Sequence, residues 1–124
     1  MRERPDGAEL LAIAREVLHK ELLPVLPADK AYSARMIANA MGIAERQLRS
    51  GGGPQEEERR ALSALLGRGG ELSALTREFA ARIRQGMFDD SVEARRLLWE
   101  STVQRVRESA PKALATDARA PSVR

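Results

Sequence analysis

The chain has 124 residues with no cysteine, one histidine and few aromatics: one Trp, one Tyr and two Phe. Without cysteine there is no disulfide framework, no thiolate zinc site and no cysteine nucleophile. A single histidine leaves little for a histidine-rich metal site or for Ser-His-Asp chemistry, and no serine falls on a strained strand-to-helix elbow. No apolar run approaches the roughly 20 residues of a membrane span. Met1-Arg2-Glu3-Arg4-Pro5-Asp6 enters a charged segment rather than a signal-type apolar core. No stretch alternates apolar and polar residues as a half-buried strand does. Together these absences lead to the expectation of a cytoplasmic helical protein with no membrane segment, no metal and no cofactor.

Charge of one sign is also lacking. The 21 Lys and Arg are set against 18 Asp and Glu. The pI of 9.9 would suit nucleic acid, but basic and acidic residues are interspersed along the whole chain, whereas phosphate binding calls for a concentrated basic face. Trp99, Phe79, Phe88 and Tyr32 recur at helical spacing in separate seams. They are expected in the core rather than as a base-stacking platform, so no nucleic-acid partner is expected.

What is present is helical periodicity. Tyr32–Leu48 places Tyr32, Ile43, Met36, Ala40, Ala44, Ile37, Leu48 and Met41 over about half a helical wheel. The next sector holds Ala34, Ala38, Ala31 and Gly42. A helix apolar or small over most of its girth is expected to be enclosed by its neighbours. Asp29 would cap it and Ser50-Gly51-Gly52-Gly53-Pro54 would end it. Before it, Asp6 and Glu9 form a capping-box pattern. Leu10, Ile13, Ala14, Val17, Leu18 and Leu22 then give one apolar face up to Pro24 and Pro27. Glu21 interrupts that face, either at the rim of a helix bending ahead of Pro24 or in an inward ion pair with Arg35 or Arg46. Further on, Gln55–Leu66 and Glu71–Gln85 read as two shorter helices around the turn Gly67-Arg68-Gly69-Gly70. Asp90 with Glu93 would start a last helix to about Ser109, with Val92, Trp99, Val103 and Val106 as its seam. The fold expected is all-α: a single-domain bundle of about five helices over 1–110, made of two antiparallel hairpins plus a long C-terminal helix. Residues 111–124 read as a loose tail.

Three constellations carry chemistry. Glu16-Val17-Leu18-His19 has the Glu-x-x-His spacing of di-iron bundles, but it occurs once and His19 falls on the polar side. Arg35, Asn39 and Arg46 lie within about 60° on the long helix, with Gly42 leaving space between them. Two guanidiniums and an amide on one strip could hold a carboxylate or phosphate such as that of a CoA-like ligand. Alternatively Asn39 satisfies a backbone carbonyl while the arginines pair with Glu45, Glu21 or helix ends. Leu97 and Leu98 lie off the last helix's seam on opposite flanks, where they would touch a second layer, a protein partner or a second subunit of a homodimer. No catalytic set emerges, so enzymatic activity is not expected.

Arg4-Pro5-Asp6-Gly7-Ala8-Glu9-Leu10-Leu11, Ala14-Arg15-Glu16, Glu21-Leu22-Leu23-Pro24, Met36-Ile37-Ala38-Asn39-Ala40 and Pro111-Lys112 resemble an uncharacterised bacterial family of small all-helical proteins. That resemblance implies genes beside aminoglycoside-phosphotransferase-like kinases and acyl-CoA dehydrogenases, and hence an accessory role in acyl-CoA or hydroxy-acid catabolism with a kinase-like or dehydrogenase-like protein as partner. Where the family tends to have Asn before the Pro-Lys pair, this chain has Ala110.

Overall fold

The computed structural model describes residues 3–116, which are helical and contain no strand. The chain divides into two units, Met1–Gly51 and Gly52–Arg124.

In the first unit, α1 (Gly7–Val17) opens on the expected capping box. Asp6 Oδ1 accepts the Glu9 amide at 2.9 Å and Glu9 Oε2 accepts the Asp6 amide at 2.7 Å, so two of the helix's free amides are satisfied. Pro24 cannot donate, and its ring would strike the carbonyl four residues back. The chain therefore widens into a π turn over Leu18–Leu22, where the Leu23 amide reaches Leu18 O, and then tightens into a 3-10 turn over Leu23–Val25. Glu21 sits exposed in that widened turn, which is the bend read as one of its two explanations.

The long helix α2 (Ala28–Ser50) begins one residue before Asp29. Pro27 occupies the capping position, and Asp29 lies instead in the first turn, where a carboxylate favours the positive helix end. Gly51, at φ 65°, ends the helix in the left-handed region. The face of α2 that packs is the small one: Ala34, Ala38 and Gly42 are buried, and Ala38 is 1% exposed. The expectation that neighbours enclose the apolar half is overturned, since Tyr32 is 69% exposed and Met36, Ile37 and Leu48 are also open. The reason is steric. Residues spaced four apart with little or no side chain let the α1 backbone come close, which bulkier residues on the same stripe would prevent. The start of α1 meets the end of α2: a Cβ added at Gly7 would stand 3.5 Å from Leu48 Cδ1, in ordinary van der Waals contact.

In the second unit, α3 (Gly53–Leu66) starts with Pro54 in its first turn and ends at Gly67, φ 70°. There Glu56 binds Arg59 through two hydrogen bonds of 2.7 and 2.9 Å and Arg60 through one of 3.1 Å. α4 (Leu72–Arg84) presents the expected stripe: Leu75 and Phe79 are buried, and Leu72 and Ile83 pack at the margin. α5 (Val92–Ser109) is capped by Ser91, whose Oγ accepts the Ala94 amide at 3.1 Å, and not by Asp90. Leu62, Leu66, Leu75, Phe79, Ala94 and Leu97 form one core from all three helices, with Leu75 fully buried. The Phe79 and Phe88 rings meet at 5.4 Å and 59°. Ser101 Oγ donates to Glu58 at 2.7 Å, tying α5 to α3. The side of α5 that packs is again set by an alanine. Ala94 and Leu97 point inward, while Trp99, expected in the seam, is 63% exposed and Val92 is open too. Pro111 stops α5 but also begins α6 (Pro111–Thr116), since a proline lacks only an amide that a first turn leaves free anyway. The loose tail expected from residue 111 therefore starts as a helix; its remainder, 117–124, lies outside the described residues.

Two outcomes follow from this packing. In chemical denaturation, Ala38→Leu should destabilise by about 1–3 kcal/mol through overpacking and Leu75→Ala by about 2–5 kcal/mol through a cavity, whereas Met36→Ala should cost about 1 kcal/mol or less because the side chain already meets water. The Arg59 hydrogen bonds hold the Glu56 carboxyl down from 4.5 to about 2. Its contribution to stability is thus complete above pH 4.5 and is lost as pH falls towards 2. Glu56→Gln should flatten the melting temperature against pH across that window.

Candidate functional site

Among the described residues, two places gather groups that could recognise something, one in each unit. The first is around Gly42. Of the three residues expected to form an anion strip, Arg46 lies against Gly42, its Nη1 3.3 Å from where a Cβ would stand. Arg35 and Asn39 are exposed further along the same side of α2. The residue that meets Arg46 there is Arg15 of α1, whose Nη1 is also 3.3 Å from the Gly42 Cβ position. A Cβ at position 42 would press on both guanidiniums and each would have to give by a few tenths of an ångström, so the glycine leaves them room. Glu45 sits beside them, half-buried, with Arg49 Nη2 at 3.0 Å and Arg15 Nη1 at 3.8 Å from its oxygens. The Arg15 contact is too long for a hydrogen bond, so Glu45 belongs chiefly to Arg49. Arg15 was the member sequence reading missed. Its signal was present: it falls on the same side of α1 as Leu11 and Leu18, an apolar face that a charged side chain enters only for a purpose.

The Glu16/His19 pair does not converge on anything. Both side chains are exposed, and the Glu16 carboxylate binds the Lys20 ammonium, a hydrogen bond that lowers its pKa. Among the described residues no three His, Asp or Glu side chains gather as metal ligands would, and no helix is long and apolar enough to cross a membrane.

The second place is a groove of about 320 Å³ between α3 and α5. Ala61, Ala64 and Leu65 supply one wall, Leu97 the floor, and Glu93, Arg96 and Glu100 the far rim. It exists because α3 carries alanine on two of the positions facing α5, both of them exposed. Leu97, expected on an outward flank, is 8% exposed and belongs to the core, where it closes the groove from below. Leu98 is 45% exposed on the outside of α5. The pattern described as Domain of unknown function (DUF6285) matches residues 24–113. The chain belongs to this family. The DUF6285 match takes in α2 to α5, the Gly42 cluster's Glu45 and Arg46, and the whole α3–α5 groove; it begins after α1, so the resembling run at Arg4–Leu11 and Arg15 itself lie outside the matched residues. Comparison with curated proteins and with solved structures found no match.

Proposed function

We propose that this DUF6285 protein is a non-catalytic accessory module that docks a partner protein on its second unit, with the α3–α5 groove as the receiving surface. The observation that carries this reading is the groove's make-up: an apolar floor and wall with charges only at the edge. That is how a protein interface seats an anchor side chain, with buried apolar contact at the centre and a polar rim that excludes water. Its rim holds two carboxylates, Glu93 and Glu100, against one guanidinium, Arg96, which favours a partner segment with an apolar anchor flanked by Lys or Arg. The neighbourhood implied by the family resemblance supplies the candidates: a kinase-like protein or an acyl-CoA dehydrogenase-like protein of acyl-CoA or hydroxy-acid breakdown, met in the cytoplasm. Leu98, outside the groove, would widen the same interface.

A second reading, an anionic ligand such as a CoA phosphate or a carboxylate held by Arg46 with Arg35 and Asn39, draws support from the paired guanidiniums over Gly42. It ranks below the first because the carboxylate of Glu45 already stands beside them and would repel an incoming anion.

Ala64 is exposed on α3, so Ala64→Arg fills the groove while changing stability by no more than about 0.5 kcal/mol. The wild-type chain mixed at micromolar concentration with the kinase-like and dehydrogenase-like proteins should co-elute with one of them, and the Ala64→Arg chain should not. Clean separation of all wild-type components would reject the docking role. For the second reading, inorganic phosphate or acetyl-CoA should raise the melting temperature in proportion to the logarithm of its concentration, and Arg46→Ala should remove that rise. A melting temperature indifferent to both ligands would reject it.

A further inference from the structure

On α3, Leu62 and Leu66 face the core shared with α4, and Ala61 stands about 100–140° round the helix from them. The groove over Leu97 therefore opens on the side of the α3–α5 pair away from α4. Its far rim carries three charges in order along α5: Glu93, Arg96 and Glu100. Steps of three and four residues keep them on one face, and the two carboxylates stand seven residues, or about 10 Å, apart along the helix. All three are exposed. Arg96 and Glu100 have the same four-residue separation as Glu16 with Lys20 and Glu78 with Arg82, which close on their own helices. Among the described residues Arg96 and Glu100 make neither an ion pair nor a hydrogen bond. The rim thus offers charge in the order negative, positive, negative, left open towards the groove.

Resting on the reading of this groove as the receiving surface, we infer that its occupant is an amphipathic helix of the partner protein. That helix carries leucine-type anchors over Leu97, two Lys or Arg residues seven apart, and an acidic residue between them. Charge complementarity fixes the order: a positive, negative, positive edge on the partner satisfies Glu93, Arg96 and Glu100 together. An edge of the opposite order would set like charge against all three, which disfavours it. The spacing fixes the conformation. On a helix, residues seven apart recur on one face, so both basic side chains reach the same rim. An extended segment covers 10 Å in about three residues, and residues three apart point to opposite faces. It would also need a sheet edge to take up its backbone groups, and no strand occurs among the described residues. A helix satisfies its own backbone and lies along α3 and α5 as a neighbour does in a bundle.

The test uses the full chain and two synthetic peptides of about 18 residues, or five turns. The first repeats leucines at helical spacing and carries two lysines seven apart with a glutamate between them. The second exchanges those charges, two glutamates with a lysine between. The wild-type chain should bind the first at least about fivefold more tightly, against its own net charge of +3. Circular dichroism of that mixture should exceed the sum of its parts in helix, since such a peptide alone is only marginally helical. Raising salt from about 0.05 to about 0.5 M should narrow the preference, a readout that needs no variant. The chain with Glu93→Lys and Glu100→Lys, both at exposed positions, should reverse the preference while its own helical signal is kept. Binding of neither peptide, equal binding of both, or binding without a gain of helix would each overturn the helix assignment; co-elution of the kinase-like or dehydrogenase-like protein would then leave the docking reading standing. Preference for the basic-edged peptide without that co-elution rejects those two proteins as partners and supports the helix assignment.

Discussion

Where α1 crosses α2, the contact consists of Ala34, Ala38 and Gly42, and the arrangement of the first unit depends on how little those residues occupy. Two helix backbones can approach closely only where neither side contributes bulk. Once the small stripe is chosen as the contact, the remaining geometry follows. The larger residues of α2 are turned away and stand in solvent. Arg15 can lay its guanidinium across the helix crossing because position 42 has no side chain to stop it. Leu10, Ile13 and Val17 of α1 and Ile37 and Leu48 of α2 lie away from that contact, so this unit has apolar surface on the outside.

The second unit is built the other way. Leu62, Leu66, Leu75 and Phe79 fill a centre of the ordinary kind, and the turns around it are fixed by glycines at positions that need positive φ, Gly67 and Gly86. Glu78 adds a polar tie: its carboxylate meets Arg82 on its own helix and Arg68 from the turn before α4, the latter at 2.8 Å. Such a pair removes one large cost, a half-buried carboxylate without a partner. What distinguishes this unit is the alanine wall of α3. Two methyl groups where larger side chains would have filled the space leave a concavity over Leu97, beside a core that is otherwise complete.

Much of the fold was legible in the order of residues. The Asp6/Glu9 box, the α4 stripe and the glycine stops are local signals, each governed by neighbours within a turn, and they appear where the sequence puts them. The packing faces of α2 and α5 were not legible, and for one shared reason. A helical wheel weighs residues by apolarity, so Met36, Ile37 and Tyr32 outweigh three small residues, and Val92 and Trp99 outweigh Ala94. Close helix approach weighs them by size instead, and there alanine and glycine win. The same inversion moved Leu97 from the flank to the core. Of the residues singled out for recognition, Arg46 was legible through Gly42. Arg15 showed only in sharing the Leu11 and Leu18 side of α1; that this side meets Gly42 is a tertiary fact that no single helix contains.

The charges point recognition towards apolar surface. Glu16 with Lys20, Glu45 with Arg49, Glu56 with Arg59 and Arg60, and Glu78 with Arg82 are all pairs three or four residues apart on their own helix. Most of these side chains are open to solvent, which screens such pairs, so they fix the fold far less than the buried core does. Their consequence is to neutralise those stretches of surface locally. Beside these pairs, Leu10, Ile13, Ile37, Leu48, Leu98 and Trp99 stand exposed. The apolar surface that the described residues leave open lies on α1 and α2 and in the groove of α3 and α5, where Glu93, Arg96 and Glu100 are the charges at the edge.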